Sequence, residues 1–159
     1  MENTYIFTTI LGDIKISESN NFITNIQFIK EPIERKSISY VKKSPLIMQA
    51  VTQLEEYLSG TRKEFDLPLN PIGTEFQKSV WKILQIIPYG EHWSYKQVAI
   101  ALSKPTAARA VGMANNKNPI PIIIPCHRVI GANGDLVGYA GGLAIKEQLL
   151  KLEQGELWI

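Results

Sequence analysis

The chain has 159 residues, 45% hydrophobic content and a formal net charge of +2, enough to bury a core in one domain or in two small ones. Its single cysteine excludes an internal disulfide. Together with only two histidines it also excludes zinc sites of paired Cys and His ligands, although not a carboxylate-rich metal site. No stretch is long and apolar enough to span a membrane, and residues 1–4 lack the basic start of a secretory signal, so we expect a cytoplasmic protein in a reducing compartment.

The first third of the chain predicts an antiparallel meander of strands. Apolar and polar residues alternate over 5–7, 14–16 and 22–28, and short turn-forming pairs separate these runs. A helix with one apolar stripe is predicted to begin at Pro45 and to end at Gly60. Residues 63–67 are a candidate for a further short strand.

A proline-rich segment predicts a domain boundary. Two prolines and a glycine interrupt residues 68–73, and the pattern changes from strands to helices after them. We therefore divide the chain into an N-terminal strand-rich domain, 1–68, and a mainly helical C-terminal domain, 69–159, an α+β fold overall.

Three helices are predicted next. Capping boxes begin helices at Thr74 and Ser94, the first ending near Ile87, and Pro105 predicts the first turn of a third helix that ends near Asn115. The second and third are short and joined by a tight turn, which makes them a helix-turn-helix candidate whose second member would face nucleic acid. The same helical corner also occurs in proteins that never touch DNA.

The third predicted helix lies in a positively charged segment. Residues 92–134 contain no Asp or Glu but five Lys or Arg side chains. The helix itself is built of small residues, and Arg109 is its one long charged side chain, so its backbone could approach another surface closely. This pattern has two interpretations. In one, the helix contacts DNA. In the other, the charges form a solvated basic surface and the small residues of the helix pack tightly against the core.

The single cysteine, Cys126, stands between Pro125 and the pair His127-Arg128. A free cysteine often acts as a small buried hydrophobe, and a lone histidine is often structural. A base and a cation beside the thiol favour a nucleophile instead, and we expect both to lower its pKa below the usual value of about 8.5. Since adjacent side chains on a strand or helix point apart, Cys126 and His127 could cooperate only across a turn or through water.

A dense series of motifs over the last half of the chain resembles the O-6-alkylguanine-DNA alkyltransferases. These motifs are Tyr95, residues 108–112, Asn118-Pro119, residues 125–128, residues 139–142 and Lys146-Glu147. The matching block runs from about residue 73 to 153. The resemblance implies a ribonuclease-H-like N-terminal domain followed by a winged-helix-like domain with a helix-turn-helix.

The resemblance implies a DNA repair reaction without turnover. The family flips O-6-alkylguanine out of duplex DNA and transfers the alkyl group irreversibly to its own cysteine, here Cys126, and O-4-alkylthymine is a further expected substrate. His127 would act as base through a water, and Glu153, on the final amphipathic helix, matches the carboxylate that orients it. Tyr95 matches the tyrosine that helps expel the base and protonates the leaving guanine, and Arg109 matches the finger that fills the vacated gap.

The resemblance also implies the surroundings of these groups. Asn118 matches a hinge asparagine that ties the recognition helix to the active-site turn. The residues expected to contact DNA are Tyr95, Ala108, Arg109, Ala110, Gly112 and Asn115. The residues expected to line the alkyl pocket are Pro125, Val137, Tyr139, Ala140 and Gly141. Some relatives have serine where this chain has Ala140, which removes one hydrogen bond to the base. We expect no metal, no cofactor, no membrane partner, and a monomer acting on double-stranded DNA.

Two other functions fit parts of the pattern. A lesion-sensing DNA-binding protein would flip the base without repairing it, but such proteins have tryptophan in place of the cysteine. A thiol hydrolase using Cys126, His127 and a carboxylate would turn over and need no DNA.

Overall fold

The structure is a computed structural model that describes residues 2–30 and 43–156, and it divides into two compact units, Met1–Pro71 and Ile72–Ile159. Within residues 2–30 and 43–71 the first unit has a three-stranded antiparallel sheet and one α-helix, and the second unit is mainly helical over residues 72–156. The predicted α+β class is confirmed, and the meander and the helix-turn-helix are both present.

The sheet of the first unit follows the predicted meander. Strands β1 (Glu2–Thr9), β2 (Gly12–Ser19) and β3 (Phe22–Phe28) pair in that order. Both turns need positive φ, which Gly12 provides in the first turn (104°) and the Asn20-Asn21 pair in the second (52° and 65°).

Helix α1 (Pro45–Leu58) covers the sheet of the first unit. The Ser44 side chain caps its first turn by accepting from the Ile47 amide, and Pro45 needs no amide partner there. The core is the buried apolar set Ile14, Ile16, Ile23, Ile26, Ile47, Leu54 and Tyr57.

The candidate strand at 63–67 is not formed. The Asp66 backbone instead pairs with the Gln53 side chain on α1, through contacts of 2.9 and 3.1 Å. The Ile23 amide donates to Pro68 O (2.8 Å) and the Asn70 amide donates to Ile23 O (2.9 Å), leaving one isolated parallel bridge between Ile23 and Leu69. These bonds hold residues 69–71 in the first unit, whereas the sequence interpretation assigned them to the second domain.

Over the described residues 72–156, the second unit contains four α-helices. Helices α2 (Glu75–Leu84) and α3 (Tyr95–Ala101) begin at the predicted capping boxes, and helices α4 (Ala108–Asn116) and α5 (Leu143–Glu153) follow. Helix α2 ends three residues before Ile87, and α4 begins at Ala108 because Pro105 lies in the preceding turn.

Two contacts position helix α4 and the segment that follows Cys126 within this unit. The buried Trp81 of α2 donates from its indole Nε1 to Ala114 O of α4 (2.9 Å), which fixes α4 against the core. Strand β4 (Trp93–Ser94) pairs in parallel with β5 (Val129–Ile130), which ties the start of α3 to the segment that follows Cys126.

Candidate functional site

The turn that leads to Cys126 is held by one asparagine side chain. Asn118 Nδ2 donates to Ile124 O (2.8 Å), and its Oδ1 accepts from the Ile120 amide (3.0 Å). Between them Ile122 has φ of +72°, a left-handed conformation that a β-branched residue adopts only when its surroundings force it. This places Asn118, the predicted hinge, between α4 and the cysteine.

Cys126 opens a short 3₁₀ helix (Cys126–Arg128) and is only 4% exposed. Burial raises the pKa of its thiol to about 11, against smaller opposing effects from a hydrogen bond with the Asn118 side chain and the positive charge of Lys146. We expected His127 and Arg128 to lower this pKa, and the structure shows the opposite shift. The His127 and Arg128 side chains instead bind the Glu153 carboxylate.

Glu153, at the end of α5, is the centre of a buried charge network. His127 Nε2 lies 2.7 Å from Glu153 Oε2, and Arg128 donates to both carboxylate oxygens, at 2.8 and 3.0 Å. The Gly90 amide donates to Oε1 at 3.1 Å. Burial alone would raise the pKa of Glu153, but the hydrogen bonds from His127 and Arg128, together with the positive charge of Arg128, outweigh burial and lower the pKa to about 2. The carboxylate is therefore ionised at neutral pH.

His127 is a neutral imidazole in this setting. Burial lowers its pKa, the hydrogen bond and charge of Glu153 oppose that effect, and the cations Arg128 and Lys146 lower it further. Because an ionised carboxylate only accepts, Nε2–H donates to Glu153, which makes Nδ1 the basic nitrogen. The geometry thus gives His127 the tautomer that a general base needs.

Lys146 belongs to one of the motifs that carry the resemblance, but the sequence interpretation assigned it no role in the site. Its ammonium is fully buried and donates to Val129 O (2.7 Å), Val137 O (2.9 Å) and Gly138 O (3.4 Å). Burial lowers its pKa, and the charge of the nearby Cys126 opposes that shift. The signal was present in the sequence, since a lysine lies on the buried side of α5, three residues before Leu149.

The pocket loop, residues 136–142, lies against the thiol region. Tyr95, the first residue of α3, donates from its hydroxyl to Val137 O (3.0 Å), the same carbonyl that Lys146 binds. Burial raises the pKa of Tyr95, as does the charge of Cys126, so the phenol stays protonated at neutral pH. The hydroxyl of Tyr139 is buried, and burial followed by the charges of Cys126 and Glu153 raises its pKa well above the usual value.

The other predicted pocket residues differ in exposure. Pro125 is buried beside Cys126, Gly141 is half-buried, and Ala140 and Val137 are exposed, Val137 to 48%. Among the predicted pocket residues, Pro125 adjoins Cys126 in the chain, and Tyr139 lies close enough for the charge of an ionised Cys126 to raise its pKa.

The residues predicted to contact DNA do not all lie on one surface. Arg109 and Ala110 of α4 are exposed, while Ala108 and Gly112 are half-buried. A side chain at Gly112 would contact the Tyr95 ring at 3.7 Å. Asn115 differs from the expectation, because it is 2% exposed and its Nδ2 lies 3.4 Å from Cys126 O, on the catalytic side of the helix.

Two further features bear on the class of site. Within residues 2–30 and 43–156, no three His, Cys, Asp or Glu side chains form a group that could hold a metal ion, and no helix has the length and apolarity needed to cross a membrane.

A groove of about 580 Å³ lies along α5 beside Gly90, His92, Ile130 and Leu150. Cys126 does not line that groove, so we do not assign it to the thiol chemistry.

Comparisons with known proteins cover both units. Residues 75–155 match the family model of the 6-O-methylguanine DNA methyltransferase DNA-binding domain, and residues 3–71 match that of its ribonuclease-like domain. The chain is 49% identical over 154 residues to the methylated-DNA–protein-cysteine methyltransferase of Methanosarcina barkeri, covering 96% of this chain and 97% of that one. It is 44% identical over 147 residues to the protein of the same name from Mycobacterium leprae, covering 92% and 89%.

Solved structures agree with these relatives. The crystal structure of the Mycobacterium tuberculosis O6-methylguanine methyltransferase is similar with a TM-score of 0.87 at 40% identity, covering 99% of this chain and 96% of that one. The crystal structure of the OGT protein of the same organism in complex with DNA has a TM-score of 0.86 at 40% identity, covering 98% and 94%.

Proposed function

The chain belongs to the 6-O-methylguanine DNA methyltransferase family, and on that premise we propose that Cys126 accepts the alkyl group from O-6-alkylguanine in duplex DNA, once and irreversibly. The activity is DNA repair by alkyl transfer to a protein cysteine. One observation carries the assignment to this residue. The only cysteine of the chain follows a turn that the Asn118 side chain holds, and it directly precedes His127, whose Nε2 binds the Glu153 carboxylate.

The first step brings the base to the sulfur. The target oxygen lies inside the duplex, so the nucleotide leaves the stack at a cost of a few kcal/mol, which is lower where the lesion has already spoiled pairing. The exposed Arg109 would fill the gap from the minor groove, where its guanidinium suits the negative potential. Because Cys126 is 4% exposed, the residues that cover its sulfur must also shift as the base enters.

The second step moves a proton off the thiol. With a pKa of about 11, ionising Cys126 at neutral pH costs about 5 kcal/mol, from about four pH units at 1.36 kcal/mol each. A standing thiolate is therefore not the resting state, and proton removal accompanies substrate binding. We assign the base to His127 Nδ1 acting through a water, with the Glu153 carboxylate stabilising the imidazolium that forms.

The third step is a single displacement. The sulfur attacks the alkyl carbon, the S–C bond forms as the C–O6 bond breaks, and the electron pair goes to the guanine oxygen and ring. The Tyr95 hydroxyl, protonated at neutral pH, would leave Val137 O and donate its proton to the leaving guanine. A thioether is a poor leaving group, so the protein remains alkylated.

We also propose that one chain acts alone in a reducing compartment such as the cytoplasm. All the groups assigned above come from residues 95–153 of one chain, and the thiol must stay reduced to act.

Peptide mass measurement after incubation with methylated duplex DNA tests the proposal. The peptide that contains Cys126 should gain the mass of one CH₂ unit, guanine should be restored in equal amount, and the reaction should stop at one equivalent per protein. The Cys126→Ser variant should show neither change. An unmodified peptide alongside repaired DNA would contradict the assignment, and product that grows beyond one equivalent would indicate a thiol hydrolase.

A further inference from the structure

The exposed face of α4 carries a large apolar side chain that no step above uses. Met113 is 68% exposed, while Val111, Ala114 and Asn115 on the opposite side of the helix are buried. Met113 lies four residues after Arg109, so the two side chains share one face with their Cβ atoms about 5–6 Å apart.

Met113 differs from the other exposed apolar residues in where it lies on α4, and not in the exposed fraction of its side chain. Single exposed apolar residues are common, and Ile72 is more exposed at 75%. Met113, however, lies near the middle of the exposed face of the helix that bears Arg109, and Asn116 is one turn further along that face. Its neighbours on the helix include the small residues Ala110 and Gly112, so the thioether projects beyond the surface around it.

The positive charge of the surrounding segment indicates which partner binds the exposed face of α4. The segment 92–134 has no acidic residue, and Lys117 adds an exposed cation beside the helix end. A duplex is the partner that a basic surface of this kind attracts. Methionine is among the apolar side chains that proteins insert as wedges at base steps in the minor groove, and its unbranched, polarizable chain adapts to an irregular surface.

We propose that Met113 is a second DNA-contacting wedge, which packs in the minor groove one helical turn away from Arg109 and supports the base step beside the vacated position. This inference rests on the proposed function, because it needs α4 to lie in the minor groove. It assigns the two side chains different tasks. Arg109 replaces the flipped base with a cation, and Met113 excludes water from the neighbouring step without any charge.

The uncharged contact has a distinct salt signature. Phosphate contacts release counterions and weaken as salt rises, whereas an apolar contact does not. Met113→Ala should weaken binding to duplex DNA about fivefold at every salt concentration, the size expected for partial burial of a methionine. Lys117→Ala should instead reduce the slope of affinity against salt.

Methyl NMR tests the placement directly. The chain has three methionines, and Met48, 37% exposed on α1, is a control in the other unit. In protein with ¹³C-labelled methionine methyl groups and the Cys126→Ser substitution to prevent reaction, saturation with an O-6-methylguanine duplex should shift the Met113 methyl signal upfield through base ring currents. The Met48 signal should not move, and Met113→Leu identifies the signal.

The possible outcomes distinguish a failure of the Met113 inference from a failure of the proposed alkyl transfer to Cys126. An unshifted Met113 signal in a saturated complex, or unchanged affinity of Met113→Ala, overturns the wedge while alkyl transfer to Cys126 in the wild type still supports the proposed function. Absence of both duplex binding and transfer in wild-type protein overturns both. Reaction of Met113→Ala with a free-base analogue should match wild type, and a parallel loss there would show that Met113 serves folding instead.

Discussion

The second unit contains two regions that differ in burial and in their existing polar contacts: the buried network around Glu153 and the exposed face of α4. At Glu153 the carboxylate already has its donors, and its 1% side-chain exposure keeps water out. On α4, Arg109 and Met113 face solvent, and within the described part of the chain Arg109 makes no hydrogen bond or ion pair. Under the proposed function, the groups that carry the chemistry are oriented before DNA binds, whereas Arg109 and Met113 gain partners only from DNA.

This difference implies that stability and DNA recognition can be changed separately. Substitutions in the Glu153 network should alter the free energy of unfolding and the reaction together. Substitutions on the exposed face of α4 should alter only reactions that involve duplex DNA.

Glu153→Gln should have the largest effect. It leaves the buried Arg128 guanidinium without a carboxylate, and loss of one partner of a buried ion pair costs about 3–5 kcal/mol of unfolding free energy. Alkyl transfer should slow on duplex DNA and on a free-base analogue alike, because a neutral amide no longer stabilises the imidazolium of His127 and, since it donates as well as accepts, no longer fixes the tautomer. Urea unfolding and single-turnover rates measure the two effects.

The unfolding free energy lost in Glu153→Gln should depend on pH, and the pKa of Glu153 gives the direction. The folded pKa of Glu153 is depressed from 4.5 to about 2, so its stabilisation is present above pH 4.5 and disappears as the pH falls towards 2. The gap between wild type and Glu153→Gln should narrow over that range. Glu147→Gln on the same helix is the matched control, since its pair with Lys151 is exposed and worth less than about 1 kcal/mol. Equal destabilisation by both variants would argue against a special role for the buried carboxylate.

The next largest expected effect concerns the Cys126 thiol. In the DNA-free protein this thiol should ionise about a hundredfold less readily than the thiol of an ordinary cysteine. Burial raises its pKa from 9.0 to about 11, so its reaction with iodoacetamide should accelerate as the pH rises towards about 11 rather than level off near 9. The stability that this raised pKa confers is present below pH 9 and lost as the pH rises through about 11. The shape of the rate profile is the readout, because limited access lowers the rate at every pH. A rate already independent of pH near neutrality would show a standing thiolate and overturn the proton-transfer step.

The local elements of this fold were predictable from the sequence. The capping boxes at Thr74 and Ser94 located the starts of α2 and α3, because the residues that make a cap are three apart in the chain. The bridge between Ile23 and Leu69 was not predictable, because it joins distant segments through backbone groups that every residue has.

The sequence supplied candidate residues for the site but not their electrostatics. His127 and Arg128 adjoin Cys126 in the chain, yet both contact Glu153, 26 and 25 residues away. Sequence adjacency therefore misjudged the direction of the thiol pKa. The burial of Asn115 was missed for another reason, since α4 is made of small residues and lacks the apolar stripe that would show which side faces the core.

Arg109→Ala should have the smallest effect on the fold and a selective one on function. Its side chain is exposed, so unfolding free energy should change by less than about 0.5 kcal/mol. Single-turnover repair of an O-6-methylguanine duplex should fall at least tenfold, about 1.4 kcal/mol, because nothing fills the gap left by the flipped base. Reaction with a free-base analogue should match wild type, since that substrate needs no flipping.

The Lys117→Ala variant provides the comparison that interprets this result. Lys117 is an exposed cation next to α4, so its loss should weaken duplex binding without affecting the rate once DNA is saturating. Arg109→Ala should remain slow at saturation, because filling the gap stabilises the flipped state rather than the encounter. If Arg109→Ala recovers its full rate at saturating DNA, the arginine is a phosphate contact like Lys117. If it is slow on the free base as well, the exposed face of α4 is not separable from the buried site, and the contrast drawn between the two regions fails.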